Sequence, residues 1–509
     1  MAQDTAQTQS IPREIEGSIP PGVPLCVDLD GTLVKSDTLL DTVIVLARQH
    51  PSAVLSFPKW VAQGKAAFKR KVTQLAEIDV VHLPYNQPLL EYLRRQHAEG
   101  REIYLATGAD TLLAERVAAH LGIFTGVLAS DGSTNLTGHN KLAAFQQRFP
   151  SGFCYIGNAK PDVPLLTNCV QPMVANPHGR LRAGMRSAGI VPARTFSDAV
   201  APWKAWLKAI RLHQWAKNVL IFLPVLLAHV RAVGPLAAAC LAFFSFGFAA
   251  SATYIVNDLL DLEADRHHPR KRRRPFAAGD LSPIAGLVTV VAFLCCSVLL
   301  ALAIPTALAR LSPQYALANP YSFLEWLVFY AIATTTYSLH LKRSVLVDVI
   351  VLSGLYTIRI LAGSAATAVP VSPWLAAFSI FFFLSLAFVK RFSELESMRQ
   401  RIENSGAVLV KGRGYRVSDL EQLRSFGTAS GFASVVVFAL YIGNDVATNL
   451  YAHRTRLWLL VPVLLLWLMR LWMKASRDEL HEDPVIYAIT DGRSLLLGAL
   501  LVAIVLSAL

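Results

Sequence analysis

Charge and paired cysteine are both scarce in this chain. Only 16% of its 509 residues are Asp, Glu, Lys or Arg, against 53% hydrophobic residues, and the mean hydropathy is +0.42. Acidic residues are the scarcer sign, 35 against 48 basic ones, which leaves a net charge of +13. Beyond that charge nothing suggests a nucleic-acid partner, and basic loops flanking membrane spans account for the excess more simply. The six cysteines (Cys26, Cys154, Cys169, Cys240, Cys295, Cys296) contain no CxxC pair and no metal-ligand spacing. They are expected to be buried small hydrophobes in a reducing compartment, not disulfides. The first residues, MAQDTAQTQSIPREIEGS, have no apolar core, which argues against a signal peptide and predicts a disordered tail over 1–21. No internal repeat is evident.

The mean hydropathy hides a division. Up to about residue 210 the chain reads as a soluble protein; from Val219 onward long apolar runs dominate. About nine spans are expected, near 214–230, 235–256, 281–304, 322–340, 344–368, 372–389, 424–442, 456–473 and 493–509, each close to the ~20 residues that cross a bilayer as a helix. Basic residues concentrate in alternate loops, at 257–280, 340–343, 390–423 and 474–492. The positive-inside pattern predicts a cytoplasmic soluble half and cytoplasmic chemistry. PWKAWLKAIRLHQW, within an expected tether at 198–213 and just beyond it, reads as an amphipathic interfacial helix carrying Trp203, Trp206 and Trp215.

At the oil–water boundary stands NDLLDLEADRHHPRKRRRPFAAG, Asn257 to Gly279. Asp258, Asp261 and Asp265 are three and four residues apart, so a helix places them on one face. Such a face can hold Mg2+, which takes oxygen ligands and keeps phosphate oxygens in its shell. The bases behind it suit the rest of an anionic substrate. Other polar groups cluster at the ends of the same spans: Gln214, Lys217 and Asn218 in RLHQWAKN; Tyr337, Lys342, Arg343 and Asp348 in YSLHLKRSVLVD; Lys390, Arg391 and Glu394 in VKRFSEL; Asp483 and Asp491 in EDPVIYAITDG. Arg359 lies inside a span, where charge is costly. Its role stays open between function and a structural pairing.

NDxxDxxxD followed by HPxKxxRPxAxG resembles the first signature of the UbiA superfamily of intramembrane prenyltransferases, over about 205–509. RxxQWxKN, YSLxLK…D, KRxxEL and DPxxxAxxD resemble its decaprenyl-phosphate phosphoribosyltransferase branch. The resemblance implies an all-α membrane bundle over 214–509. It also implies transfer of phosphoribose from phosphoribosyl pyrophosphate to a polyprenyl phosphate among the membrane lipids of a bacterial inner membrane. Asp258, Asp261 and Asp265 match the metal-binding acids. Asn257, Arg266, Lys271, Arg274, Tyr337, Lys342, Asp348, Lys390, Arg391, Gln214, Lys217 and Asn218 become the expected substrate-binding residues. A second DxxxD motif is missing; that region offers Asp348 and two bases, which suits a donor bearing an extra phosphate. Two alternatives stay open: an aromatic prenyltransferase using a prenyl diphosphate, and a non-catalytic lipid-binding membrane protein. Homo-oligomerisation also stays open.

The soluble half alternates strand-like and helical runs, which predicts a doubly wound α/β fold with its site beyond the strands' carboxyl ends. VDLDGTL, LATGAD, GHNKLAAF and YIGNAKPD fall there in order. Together they resemble haloacid-dehalogenase-like hydrolases over about 22–197, with a helical cap expected at 36–84. The resemblance implies Asp28 as nucleophile, Asp30 as general acid/base, Thr107 and Lys141 on the phosphoryl oxygens, and Mg2+ near Asp28, Asp30, Asn158 and Asp162. Asn158 stands where the family usually has an acid, so an inactive, regulatory domain is the competing reading.

Overall fold

The computed structural model describes residues 22–403, 414–444, 450–480 and 483–509; the tail expected at 1–21 and part of the basic 390–423 loop lie outside them. Packing divides the chain into two units, one running to Ala209 and including Ile255–Val288, the other comprising Ile210–Tyr254 and Thr289–Leu509. The boundary therefore does not fall at one point near 213. The Asn257–Gly279 segment belongs with the α/β part, to which it is tied: Arg266 pairs with Asp41 at 2.8 Å, and Arg48 donates to the Leu260 carbonyl at 3.0 Å.

The first unit is built on a six-stranded parallel sheet: β1 (Leu25–Val27), β2 (Ile103–Asp110), β3 (Gly126–Ser130), β4 (Cys154–Gly157), β5 (Gln171–Ala175) and β6 (Arg194–Phe196), in the order β3-β2-β1-β4-β5-β6. Both faces are covered, so successive residues serve different cores. Leu25 and Val27 pack with Ile103, Leu105 and Ile156, whereas Cys26 packs with Phe145, Tyr155 and Val174. Between β1 and β2 the chain makes helices at Thr38–Gln49, Phe57–Ala62 and Lys65–Leu75, the first capped by Asp37, whose carboxylate accepts the Leu40 N–H. From β1 the order runs outward to β3 on one side and through β4 to β6 on the other. The crevice past the ends of β1 and β4 is thus the switch point where such sheets bind ligands.

In the second unit and across its seams, six helices among the described residues are long and apolar enough to cross a membrane: Val233–Leu260, Pro283–Leu311, Val347–Thr367, Pro373–Arg399, Val417–Ile442 and Arg454–Ser476. A seventh span is formed if Pro484–Thr490 and Gly492–Ala508, which meet at 82°, count as one. Nine were expected. The segment near 214–230 instead makes a 3-10 stretch, Leu212–Phe222, and a five-residue helix, Leu223–Leu227. Ser322–Leu339 is helical but is interrupted by Glu325 and a Thr334–Thr336 run, and falls below the hydropathy of the other six. The 3-10 stretch seats against Val347–Thr367 at Gly363, where an added Cβ would lie 2.2 Å from the Ile221 carbonyl oxygen.

Pro283–Leu311 exposes Ile284, Leu287, Val288, Val291, Leu294, Val298 and Leu302, an apolar stripe at helical spacing suited to lipid. The cysteines divide: Cys26 and Cys154 are buried, as expected, but Cys240, Cys295 and Cys296 are exposed on apolar helices.

Candidate functional sites

At the carboxyl end of β1, Asp28 meets Lys141, whose Nζ donates to Oδ1 at 2.8 Å. Lys141 also reaches the Tyr155 hydroxyl at 3.0 Å, and that hydroxyl donates to Asp162 at 2.9 Å. Asp162 Oδ2 accepts the backbone N–H groups of Asn158 (3.0 Å) and Ala159 (2.9 Å). Asp162 was expected to compensate for Asn158 beside a metal. Its two oxygens are instead spent holding the 158–162 turn and Tyr155. Asp30 accepts from the Thr38 N–H (2.8 Å) and hydroxyl (2.7 Å). Thr107 is fully buried where the β2–β3 register shifts, and its hydroxyl accepts the Ala109 N–H at 3.0 Å. Gly31 has φ +73°, and a Cβ there would strike the Asn158 amide nitrogen at 2.0 Å. The asparagine carboxamide thus lies directly over the Asp28–Gly31 turn.

Two carboxyls here sit near neutrality. Burial pushes Asp28 up to about 6, against the pull of Lys141. Burial, reinforced by Asp37, pushes Asp30 up to about 7. One can therefore be ionised while the other still carries a proton, the division that nucleophile and general acid need.

The Asn257–Gly279 segment forms a second cluster. The helical ladder continues across a bend at Asp261, with Asp261 N bonded to Asn257 O (2.9 Å) and Asp265 N to Asp261 O (2.8 Å). Asp258 and Asp265, each 2% exposed, consequently face the same way. One nitrogen of Arg274, Nη1, lies 3.1 Å from Asp258 and 2.6 Å from Asp265. Burial raises the Asp265 carboxyl, opposed by Arg274. Asp261 is more exposed and lies 3.8 Å from Arg48. The three acids thus do not close on one point: two share Arg274 and the third faces Arg48. Arg266, expected on substrate phosphate, is buried; it pairs with Asp41 at 2.8 Å and donates to Ser36 at 3.2 Å and the Ala277 carbonyl at 3.2 Å. Lys271 stays exposed beside these acids.

In the second unit, Asp483 is a centre that sequence reading did not place in the site. Its Oδ2 accepts from Lys217 (2.8 Å) and Lys390 (3.1 Å), and its Oδ1 from Tyr356 (3.2 Å) and the Val485 N–H (3.1 Å). The signal was present: an acid before proline at the start of a helix is an N-cap, and an N-cap can also collect cations. Nearby in the chain's fold, Arg359 donates to Asn218 at 3.0 Å and Tyr330 at 3.0 Å, and to the Leu355 carbonyl, so Asn218 positions a buried guanidinium. Asp348 is fully buried and locked by Arg391 at 2.7 Å and by the Tyr415 hydroxyl; Arg391 also holds Glu394 and, at 3.3 Å, Tyr337. Gln214 lies half-buried on the 3-10 stretch, and Lys342 in the Leu341–Arg343 turn.

Apolar spanning helices, with carboxylate–lysine and carboxylate–arginine clusters at their ends, define an integral membrane protein. The model of the UbiA prenyltransferase family matches residues 218–487, and the chain belongs to that family. It is 38% identical to "Uncharacterized protein y4nM" of Sinorhizobium fredii over 94% of this chain and 90% of that one. It is 35% identical to the decaprenyl-phosphate phosphoribosyltransferase of Mycobacterium tuberculosis, over 46% of this chain and 72% of that one. For the α/β part, a haloacid-dehalogenase family hydrolase from Salmonella enterica is a solved neighbour, at 15% identity and a TM-score of 0.25 over 35% of this chain and 68% of that one.

Proposed function

We propose that the chain transfers phosphoribose from phosphoribosyl pyrophosphate to a polyprenyl phosphate at the cytoplasmic face of the inner membrane. Its hydrolase-like part then removes the 5-phosphate of the product. The observation that carries the transferase reading is the pair of buried carboxylates, Asp258 and Asp265, sharing one cationic nitrogen. A point already held by a guanidinium nitrogen between two oxygen donors suits a hard divalent cation. Bound there, Mg2+ would offset the charge gathering on a departing pyrophosphate.

Within the first unit, Arg274 and Lys271 would be the cations that take donor phosphate oxygens beside the acids. Within the second unit, Lys217 and Lys390 would exchange Asp483 for a phosphate group, with Lys342 a further phosphate ligand. The bond from ribose carbon 1 to pyrophosphate breaks with its electron pair on the leaving group. An oxygen of the lipid phosphate forms the new bond to carbon 1. No protein base is needed, because the acceptor is already an anion, so positioning and charge stabilisation supply the rate.

Two observations favour a sugar-phosphate donor over a prenyl diphosphate. The mycobacterial relative carries the phosphoribosyltransferase name. Asp348, the lone acid of the second region, is closed in a buried pair with Arg391, leaving that region without a carboxylate for a second metal. For the hydrolase part, the support is Asp28 and Lys141 in contact at the sheet's switch point, with Asp30 still protonated near neutral pH. Asp28 attacks phosphorus, the phosphorus–oxygen bond to ribose breaks as Asp30 gives its proton to the leaving oxygen, and water then cleaves the aspartyl-phosphate to release inorganic phosphate and restore Asp28.

The test is purified full-length protein with labelled phosphoribosyl pyrophosphate, polyprenyl phosphate and Mg2+, run beside a prenyl diphosphate with an aromatic acceptor. Lipid-soluble label from the first pair alone is expected; label from the second alone would overturn the reading.

A further inference from the structure

Asp79, His82 and His267 take no part in the clusters described above, although His267 shares a short helix with Asp265. Asp79 and His82 are in the loop after Lys65–Leu75; His267 ends the short helix Leu262–His267. His82 Nδ1 is 2.6 Å and His267 Nε2 is 2.7 Å from the same oxygen, Asp79 Oδ2. The two imidazoles lie nearly face to face, with centroids 4.2 Å apart and planes at 31°. Among the described residues this is the one trio of His, Cys, Asp or Glu whose ligand atoms all fall within 4.8 Å of one another.

The hydrogen bonding of His267 is informative. Its Nδ1 is 2.8 Å from the Glu263 carbonyl, which can only accept, so Nδ1 carries the proton. In a neutral ring the Nε2 lone pair then points at a carboxylate oxygen, lone pair against lone pair. A cation between them removes the conflict. Donation from the distal ring nitrogen to a backbone carbonyl is also how metal-bound histidines are ordinarily oriented.

We propose that these three side chains form a binding site for a transition-metal ion of the zinc class, distinct from any Mg2+ site. Two imidazole nitrogens and one carboxylate oxygen favour zinc, cobalt or nickel over magnesium. Ligands at zinc bond lengths in a tetrahedron stand about 3.3 Å apart, so the two nitrogens must each draw back from Asp79 by roughly 0.6 Å. Their side chains are 43% and 46% exposed, which leaves room to rotate and leaves the remaining coordination position to water. The ion would pin the 79–82 loop to the helix that carries Asp265, and so restrain the acid-bearing segment.

The experiment uses the full-length protein in detergent, stripped with chelator and dialysed against zinc in millimolar Mg2+, with bound metal counted by plasma emission. Cobalt substitution is followed by its visible d–d bands. One tightly held zinc per chain is expected, with cobalt bands of low coordination number and a zinc-dependent rise in melting temperature. His82→Ala and His82→Gln should lose all three while melting like metal-free wild type. Zinc retained equally by the His82 variants, as cysteine binding would give, overturns the assignment. So does absence of stoichiometric zinc from wild type, the result if His267 is simply an imidazolium. Neither outcome depends on turnover, so transferase activity and this site fail or stand separately.

Discussion

At the end of β1 a buried carboxylate has one lysine for company and a second acid two residues away; at Asp483 two lysines and a tyrosine converge on a single carboxylate. The first arrangement is short of positive charge, and its carboxyls rise toward neutrality. The second is long in positive charge and its acid is a counter-ion. A site that must make and break bonds through its own side chains gains from groups that titrate in the working range. A site that must receive several phosphates gains from cations already in place, parked on an acid that substrate can displace. The two regions thus suggest covalent chemistry in the α/β part and electrostatic positioning in the membrane part.

The largest expected effects test the proposed division between hydrolysis and transfer. Asp28→Asn should abolish phosphate release, measured by a colorimetric phosphate assay, while leaving lipid labelling intact. Asp258→Asn should lower transferase turnover on the order of 10²–10³-fold, comparable to loss of a key charge-stabilising group, in protein that still melts cooperatively because Arg274 keeps Asp265 as a partner. Loss of lipid labelling in Asp28→Asn, or loss of phosphate release from preformed lipid product in Asp258→Asn, would argue against two separate sites. Next comes the buried pair Asp348–Arg391. Removing one partner leaves an uncompensated buried charge, a cost of about 3–5 kcal/mol. Arg391→Met alone should therefore destabilise more in a denaturant melt than Arg391→Met combined with Asp348→Leu. If the double variant proves the worse of the two, the pair is not the closed structural unit described above.

Much of this contrast was legible in the residues, for different reasons in each part. Strand-ending motifs put Asp28 and Asn158 side by side because a parallel sheet collects its strands' carboxyl ends on one edge, and Lys141 reaches Asp28 from the helix His139–Arg148. Helical phase put Asp258 and Asp265 on one face even across the bend at Asp261. Long-range pairings were not legible. Nothing local says that Arg266 will be buried on Asp41, or that Asp162 will hold its own turn with one oxygen and Tyr155 with the other. Asp483 was read as a loop acid because the lysines it gathers are 266 and 93 residues distant. The nine expected spans are not confirmed among the described residues for a simpler reason. Apolar composition alone does not distinguish a crossing helix from the 3-10 stretch Leu212–Phe222, which is apolar because it packs inward at Gly363.

A moderate effect concerns pH. Phosphate release needs Asp28 ionised and Asp30 protonated. The first condition is gained as pH rises through about 6, and the second is lost as pH rises through about 7. Release of p-nitrophenol from its phosphate ester should therefore follow a bell with its top between those values. Transferase turnover, which requires no protein proton in the proposed step, should be flat across the same range. A flat hydrolase profile, or a transferase profile that follows it, would mean that the two regions do not divide the chemistry as proposed.

The smallest expected effect separates an ion pair from a metal ligand at Asp261. Its contact with Arg48 is long, 3.8 Å, and both side chains are partly exposed. A surface pair of that kind contributes at most about 1 kcal/mol. Arg48→Ala should therefore hardly move the melting temperature, although it also removes the bond to the Leu260 carbonyl. If Asp261 turns inward to join Asp258 and Asp265 on Mg2+, Arg48 competes with the ion for that carboxylate. Arg48→Ala should then lower the Mg2+ concentration needed for half-maximal transfer by a few-fold. An Mg2+ dependence identical to wild type would leave Asp261 outside the metal's shell, with Asp258 and Asp265 as its only aspartates.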